Sequence, residues 1–331
     1  MTAEQLNCTP AGQVKLSYAS GADVHSVLVE LAQRLRSSRT PTAASIRERA
    51  RETTGFSGKS GPTTTARFGE VARPGCRVEK LVYESEPGIS VPALLFIGNT
   101  GGASRPAVLL TDGDGKTAAV AEAEELAAAG FIVLAPDLRG FGETKPNFDH
   151  DYFSRNFGDY EHATTALLIG KTMPGMRALD AVCGIDLLAA RSDVDKNRIG
   201  VVGRGAAAVA ILFAALLEER ISRVALDRML VSYNLVATER IHQGLSDQIV
   251  PSVLKYFDLP DVIASLAPRR VAVFNGVNQL GQELAADRLQ SEYARAGESY
   301  AKAGAASALR IGVRNRDETT FVPIVKALFE A

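Results

Sequence analysis

The chain has 331 residues, 46% of them apolar, enough to bury a large core as one big domain or two small ones. Its 37 basic and 38 acidic side chains are interspersed to a formal net charge of −1. No basic stripe is left to neutralise a run of phosphates, so a nucleic-acid partner is not expected. The three cysteines, Cys8, Cys76 and Cys183, lie far apart with no CxxC pair and no neighbouring histidine, so no disulfide framework, metal site or cofactor motif is read.

The opening MTAEQLNCTPAGQVKL has no positive region followed by an apolar one, and no later run approaches the roughly 20 apolar residues of a membrane span. The chain reads as soluble. That fits both a protein kept where it is made and one exported after loss of a leader, so location is left unset.

Residues 22–52 read as one or two helices, ADVHSVLVELAQRLR and ASIRERARE, broken at 37–41. Val27, Leu28, Leu31 and Leu35 recur at helical spacing in the first, which predicts a face packed on the rest of the protein or on a partner. GFSGKSGPTTT, 55–65, has the composition of a linker. An N-terminal helical extension is therefore set at 1–70 and the main domain at 71–331.

From Glu79 onward short β-branched apolar runs alternate with Ala-rich stretches, the pattern of parallel strands joined by crossover helices. Eight strands are predicted, at 79–85, 91–98, 106–111, 131–136, 198–203, 222–227, 270–275 and 308–313. The first two are separated by a PGIS turn and form a hairpin. Helices are predicted at 117–129, 175–190, 206–219, 281–303 and 319–330. The fold class is α/β, an eight-stranded, mostly parallel sheet with helices on both faces. The long intervals 144–174 and 229–258 read as lid-like insertions.

Ligands of such sheets meet the carboxyl ends of the strands. There the strand RIGVVG runs into Gly203-Arg204-Gly205-Ala206-Ala207 and then a long Ala-rich helix, the strand–turn–helix of a nucleophile elbow with glycine at its apex. Through this elbow and through PGISVPALLFI, FIVLAPDLRGFGET, RALDAVCGIDLLAARSDVDKNRIGVVGRGAAA and KYFDLPDVIASLAPRRVAVFN, residues from about 70 to 331 resemble the acetyl-xylan-esterase-like branch of the α/β-hydrolases. The chain is similar to the second, degenerate hydrolase domain of tandem-domain bacterial proteins, and LNCTPAGQV resembles the connector ahead of that domain.

The resemblance implies a serine at Gly205, an acid at Asn278 after the seventh strand, and a histidine after the eighth, where Val313-Arg314-Asn315-Arg316-Asp317-Glu318 has none. It also implies a His-Gly oxyanion loop, where this chain has Thr111-Asp112-Gly113-Asp114-Gly115-Lys116. Arg139, in a glycine-rich loop lacking dinucleotide spacing, is implied to brace the site.

Several side chains carry two readings. Asp112, Asp114 and Asp137 form an acid/base or metal cluster, or, more plainly, Asp112 and Asp114 cap the following turn while Asp137 pairs with Arg139. Arg204 attracts a carboxylate ligand, or reaches Asp112 or Asp114. His242, in the second lid, serves a pocket or packs, and His150 and His162 in the first lid have a weaker claim. The oxyanion and pocket region is set at Asp112, Gly113, Arg204, Gly205 and Ala206.

The function expected is that of a non-catalytic supporting or binding domain. Its expected partners are a catalytic sister domain, a second copy, a carbohydrate or a small ester. The rival expectation is an active carboxylic-ester hydrolase with a non-standard site built on Asp112, Asp114 or His242.

Overall fold

Among the described residues one sheet of nine strands runs in the order β1-β2-β3-β5-β4-β6-β7-β8-β9. Its strands are β1 Thr65–Arg73, β2 Cys76–Glu86, β3 Ile89–Gly98, β4 Arg105–Asp112, β5 Ile132–Pro136, β6 Val194–Arg204, β7 Ile221–Asp227, β8 Arg270–Phe274 and β9 Leu309–Gly312. The structure, a computed structural model, describes residues 1–58, 63–100, 102–146, 156–315 and 320–330.

All eight predicted strands are present as β2–β9. The β2–β3 hairpin opens the series, β3 meets β5 antiparallel, and every later pairing is parallel. Strand β1 is additional. It lies antiparallel on β2 at the sheet edge and crosses the boundary that the sequence reading draws between 70 and 71. An edge strand exposed at every position has no buried face to impose alternation, so TARFGEVAR carries no strand signature.

Both faces of the sheet are covered, which is why β4 to β7 read as near-continuous apolar runs. One face carries α2 (Ala43–Thr54), α5 (Met173–Ala190), α6 (Ala208–Leu217) and α8 (Leu259–Ser265). The other carries α3 (Val120–Ala128) and α11 (Val322–Glu330). Helix α6, AVAILFAALL, is buried on every side because it lies between the sheet and the helices α5 and α8. The lid-like intervals hold the short helices α4 (Tyr160–Leu168) and α7 (Tyr233–Thr238), and the predicted helix at 281–303 divides at Tyr293 into α9 (Ala286–Glu292) and α10 (Ala294–Lys302).

The two predicted N-terminal helices differ in how they dock. Helix α2 buries Ile46, Ala50 and Thr54, and the Thr54 carbonyl accepts from the N–H and hydroxyl of Thr172 at 3.2 and 2.9 Å. Helix α1 (Val24–Ser38) buries only Ala32, while Val27, Leu28 and Leu31 stay 52%, 49% and 43% exposed. Of the predicted face Leu35 is half-buried; α1 packs against α7, and Arg39, just past its end, donates to Asp261 Oδ2 at 3.1 Å and the Leu254 carbonyl at 3.2 Å. Among the described residues no helix is long and apolar enough to cross a membrane.

Candidate functional site

Strand β6 ends at Arg204 in extended backbone, and the chain reverses at Gly205 (φ 56°) into the helical turn Gly205–Ala207 that feeds α6. The sharp turn expected from the sequence is present. A Cβ on Gly205 would meet no atom within 4 Å, so the apex faces open space and the left-handed backbone is what disfavours a larger residue. Beside it the β4 loop comes so close that a Cβ on Gly113 would stand 2.9 Å from the Ala206 amide nitrogen.

The amides of that loop are already engaged. Gly113 N donates to the Arg204 carbonyl at 3.1 Å, Asp114 N to Asp112 Oδ1 at 2.9 Å, Gly115 N to the Asp112 carbonyl at 3.0 Å and Lys116 N to Asp137 Oδ1 at 2.6 Å. Asp112 thus caps its own turn, whereas Asp114 is exposed. Asp137 does not pair with Arg139. It binds Lys116 and the Glu143 amide, because the turn after β5 carries Arg139 away to the buried Asp180 on α5 and to Glu86.

Arg204 reaches Asp112 at 3.5 Å, Glu122 at 3.1 Å and Asp227 at 3.8 Å. The register explains this convergence, since Asp112, Arg204 and Asp227 are direct partners across β4, β6 and β7 and so project to one side of the sheet. Asp227 Oδ2 also accepts from Arg314 at 2.9 Å and its Oδ1 from Asn275 Nδ2 at 2.8 Å, while Asn275 Oδ1 accepts from the Arg314 amide at 2.9 Å. Burial pushes the carboxyls of Asp112 and Asp227 above the ordinary range, with Arg204 and Arg314 acting against that rise.

Asn278 is occupied locally. Its Oδ1 accepts from the amides of Leu280 and Gln282 at 2.9 and 3.0 Å, closing the turn there. His242 is exposed in the loop beside that turn, where Gln243 N donates to the Gln279 carbonyl at 3.0 Å. His150 and Arg316–Glu318 lie outside the described residues.

A cavity of about 310 Å³ opens next to the β4 loop. It is bounded by Gly113 and Asp114, by Gly140–Gly142 after β5, by Asp159–His162 at the start of α4, and by Asp247. Of the expected pocket residues it gathers only Gly113, together with the candidate acid Asp114. Asp112, Arg204, Gly205, Ala206 and His242 do not line it. Sequence reasoning gave little weight to His162, whose Nδ1 lies 2.8 Å from Asp159 Oδ1. The legible signal was an aspartate three residues ahead of a histidine at a helix start. Among the described residues no cluster of three or more His, Cys, Asp or Glu side chains is placed to hold a metal ion.

The model of the Abhydrolase family matches residues 43–298, from helix α2 into α10, and so covers most of the chain and the elbow, the β4 loop and the cavity described above. The chain belongs to the Abhydrolase family. It is 29% identical over 224 residues, 66% of this chain and 70% of the other, to the Bacillus subtilis (strain 168) protein named "Putative hydrolase YtaP". Among solved structures it is similar to a "putative acetyl xylan esterase" of Bacteroides fragilis NCTC 9343, with TM-score 0.73, 16% identity and coverage of 96% of this chain and 88% of that one. It is also similar to an acetyl xylan esterase from Paenibacillus sp. R4, with TM-score 0.58, 14% identity and coverage of 89% and 96%. At these identities the structural likeness speaks to fold.

In this Abhydrolase-family chain, removing Arg204 leaves three carboxylates facing one another. Arg204→Ala is expected to cost about 2 kcal/mol at neutral pH, less than a fully buried pair because the side chain is 24% exposed. A carboxyl whose folded pKa is raised loses stability as pH rises through that value, and without the guanidinium the loss for Asp112 and Asp227 grows. The deficit against wild type should therefore be full at pH 7 and shrink as the pH falls and Asp112 and Asp227 take up protons. Urea unfolding of the two proteins at neutral and at acid pH checks this, and a deficit that ignores pH would contradict it.

Proposed function

We propose that this chain is a non-catalytic domain of hydrolase fold, related to carbohydrate esterases, that binds a ligand or supports a partner. The observation that carries this reading is Gly205, which puts a hydrogen where the elbow of an esterase presents its nucleophilic oxygen. Two further features support it. The amides at 113–116 are bonded within their own surroundings, and Arg314, after the last strand, carries a guanidinium that is tied to Asp227 and cannot act as a base. The partners that suit such a domain are a catalytic sister domain in tandem, a second copy, a carbohydrate or a small ester.

The rival reading is an active carboxylic-ester hydrolase with a non-standard base. The imidazole of His162 held by Asp159, beside Asp114 in one cavity, is the observation in its favour. Hydrolysis of p-nitrophenyl acetate, with labelling by a fluorophosphonate, separates the two. The expected result is hydrolysis no faster than with heat-denatured protein, and no label. Turnover abolished by His162→Gln would establish the rival.

A further inference from the structure

Four arginines remote in sequence meet towards the amino ends of the last four strands, the end of the sheet away from the elbow. Strands β6 to β9 are consecutive in the sheet, with Gly200 opposite Arg223, Arg223 opposite Arg270 and Ala272 opposite Arg310. Side chains two apart on a strand share a face, so Arg198, Arg223, Arg270 and Arg310 form a row on the face that carries α11. Contacts bring three of them to the C-terminal end of that helix. Arg223 Nε and Arg270 Nη1 donate to one oxygen, the Leu328 carbonyl, at 3.1 and 3.4 Å, and Arg198 Nη2 donates to the Phe329 carbonyl at 3.4 Å. Arg310 is exposed on the edge strand β9, where the row opens to solvent.

Capping of α11 accounts for part of this charge. A helix end carries about half a negative charge, set here against three guanidiniums. Among the described residues none of the four arginines is in an ion pair, and Arg198 and Arg270 spend one N–H each on protein acceptors while Arg310 spends none. Burial, and then the charges of Arg270 and Arg198, push the Arg223 guanidinium below its ordinary range, with Asp195 acting against them. Asp195 itself accepts from the Asn197 amide at 3.0 Å, and Glu330, the residue after Phe329, is exposed. Positive charge is thus concentrated at one end of a chain whose formal net charge is −1.

We propose that this row is a docking surface for an acidic segment of a partner protein, which lays carboxylates along it from β6 to β9. The guanidinium fork matches a carboxylate through paired N–H groups. Four strands about 4.8 Å apart spread the row over roughly 14 Å, whereas a single compact anion spans one neighbouring pair. An extended chain repeats its same-side residues about every 6.6 Å, so alternate Asp or Glu residues meet the row along its length. A nucleic-acid strand would draw on exposed aromatic rings for base stacking, and the ring here, Phe329, is buried with the Arg223 guanidinium 4.8 Å from it. The inference goes beyond the functional reading above and does not depend on it, since a catalytic elbow would leave the row unchanged.

The test titrates the full chain into a short fluorescein-labelled peptide of alternating glutamate and serine at low salt, read by anisotropy, with a glutamine-for-glutamate peptide as control. The acidic peptide is expected to bind, the control to give no signal, and the affinity to fall as salt is raised. Arg310→Glu touches no cap of α11, so its melting temperature should stay near that of wild type while the affinity drops about tenfold through like-charge repulsion. Arg270→Gln should weaken binding about three- to fivefold. No binding by wild type, equal affinity for the two peptides, or unchanged affinity in folded Arg310→Glu overturns the proposal and leaves the arginines as caps of α11. Inorganic phosphate that displaces the peptide at or below the peptide's own Kd would mark a compact anion site, and an oligothymidylate that binds more tightly than the peptide would mark a nucleic-acid surface. Either result also overturns it.

Discussion

Asp180→Ala is expected to cost about 3–5 kcal/mol, the loss typical of breaking a buried ion pair from one side. Asp180 is fully buried on α5 and accepts four groups: Arg139 Nε, Arg139 Nη2, the Arg139 amide and the Ser85 hydroxyl. Burial alone would favour loss of the Arg139 proton, and the bonds to Asp180 more than offset it, raising the guanidinium above its ordinary value. Without the carboxylate, Arg139 keeps Glu86 and a hydroxyl, and its amide loses its acceptor. The loop after β5, which carries Gly140 and walls the cavity, should loosen first. Urea unfolding measures the global loss, hydrogen exchange over 137–146 measures the local one, and Asp180→Asn, which keeps volume and one acceptor, should fall between. A loss below about 1 kcal/mol in the alanine variant would mean that the pair is not what holds this loop.

Eight of the nine strands could be read from the chain because each is buried enough to impose an apolar run, as in VPALLFIG and RIGVVG. Strand β1 could not, since both its faces are wet. The elbow was legible as GRGAA because a sharp reversal needs small residues locally. The Arg204 pairing with Asp112 was also within reach, but its other partners, Glu122 and Asp227, are neighbours only through strand register and the packing of α3. The same limit hid the links from Lys116 to Asp137 and from Arg177 to Asp247, each joining segments remote in sequence. Amphipathic spacing in α1 was visible, but spacing does not say which side meets the domain, and Ala32 rather than Val27 or Leu28 faces inward.

Gly205→Ser is expected to fold and to remain inert, and it is the sharpest test of the proposed function. A serine Cβ at the apex finds nothing within 4 Å, so its cost is the left-handed backbone, about 1–3 kcal/mol. The new hydroxyl would still need a base, and general-base help is typically worth about 10²- to 10⁴-fold. Asp112, the register partner of Arg204 on the neighbouring strand, is buried and bound to Arg204, and Arg314 in the segment after β9 pairs with Asp227. A fuller repair places serine at 205, aspartate at 278 and histidine at 315, 316 or 317. Asn278→Asp should be tolerated, because the side-chain oxygen that accepts from Leu280 and Gln282 is retained. Hydrolysis of an activated acyl ester is then compared across the unmodified protein, the single variant and the triple variant, with titration by a serine-directed phosphonate. Slow labelling and no turnover in the single variant, with a gain only in the triple, is the expected order. Rapid stoichiometric labelling with turnover in Gly205→Ser alone would reveal a base already in place. His162 and His242 would then be the residues to replace next, His162 first because it shares the cavity with the loop that touches the elbow.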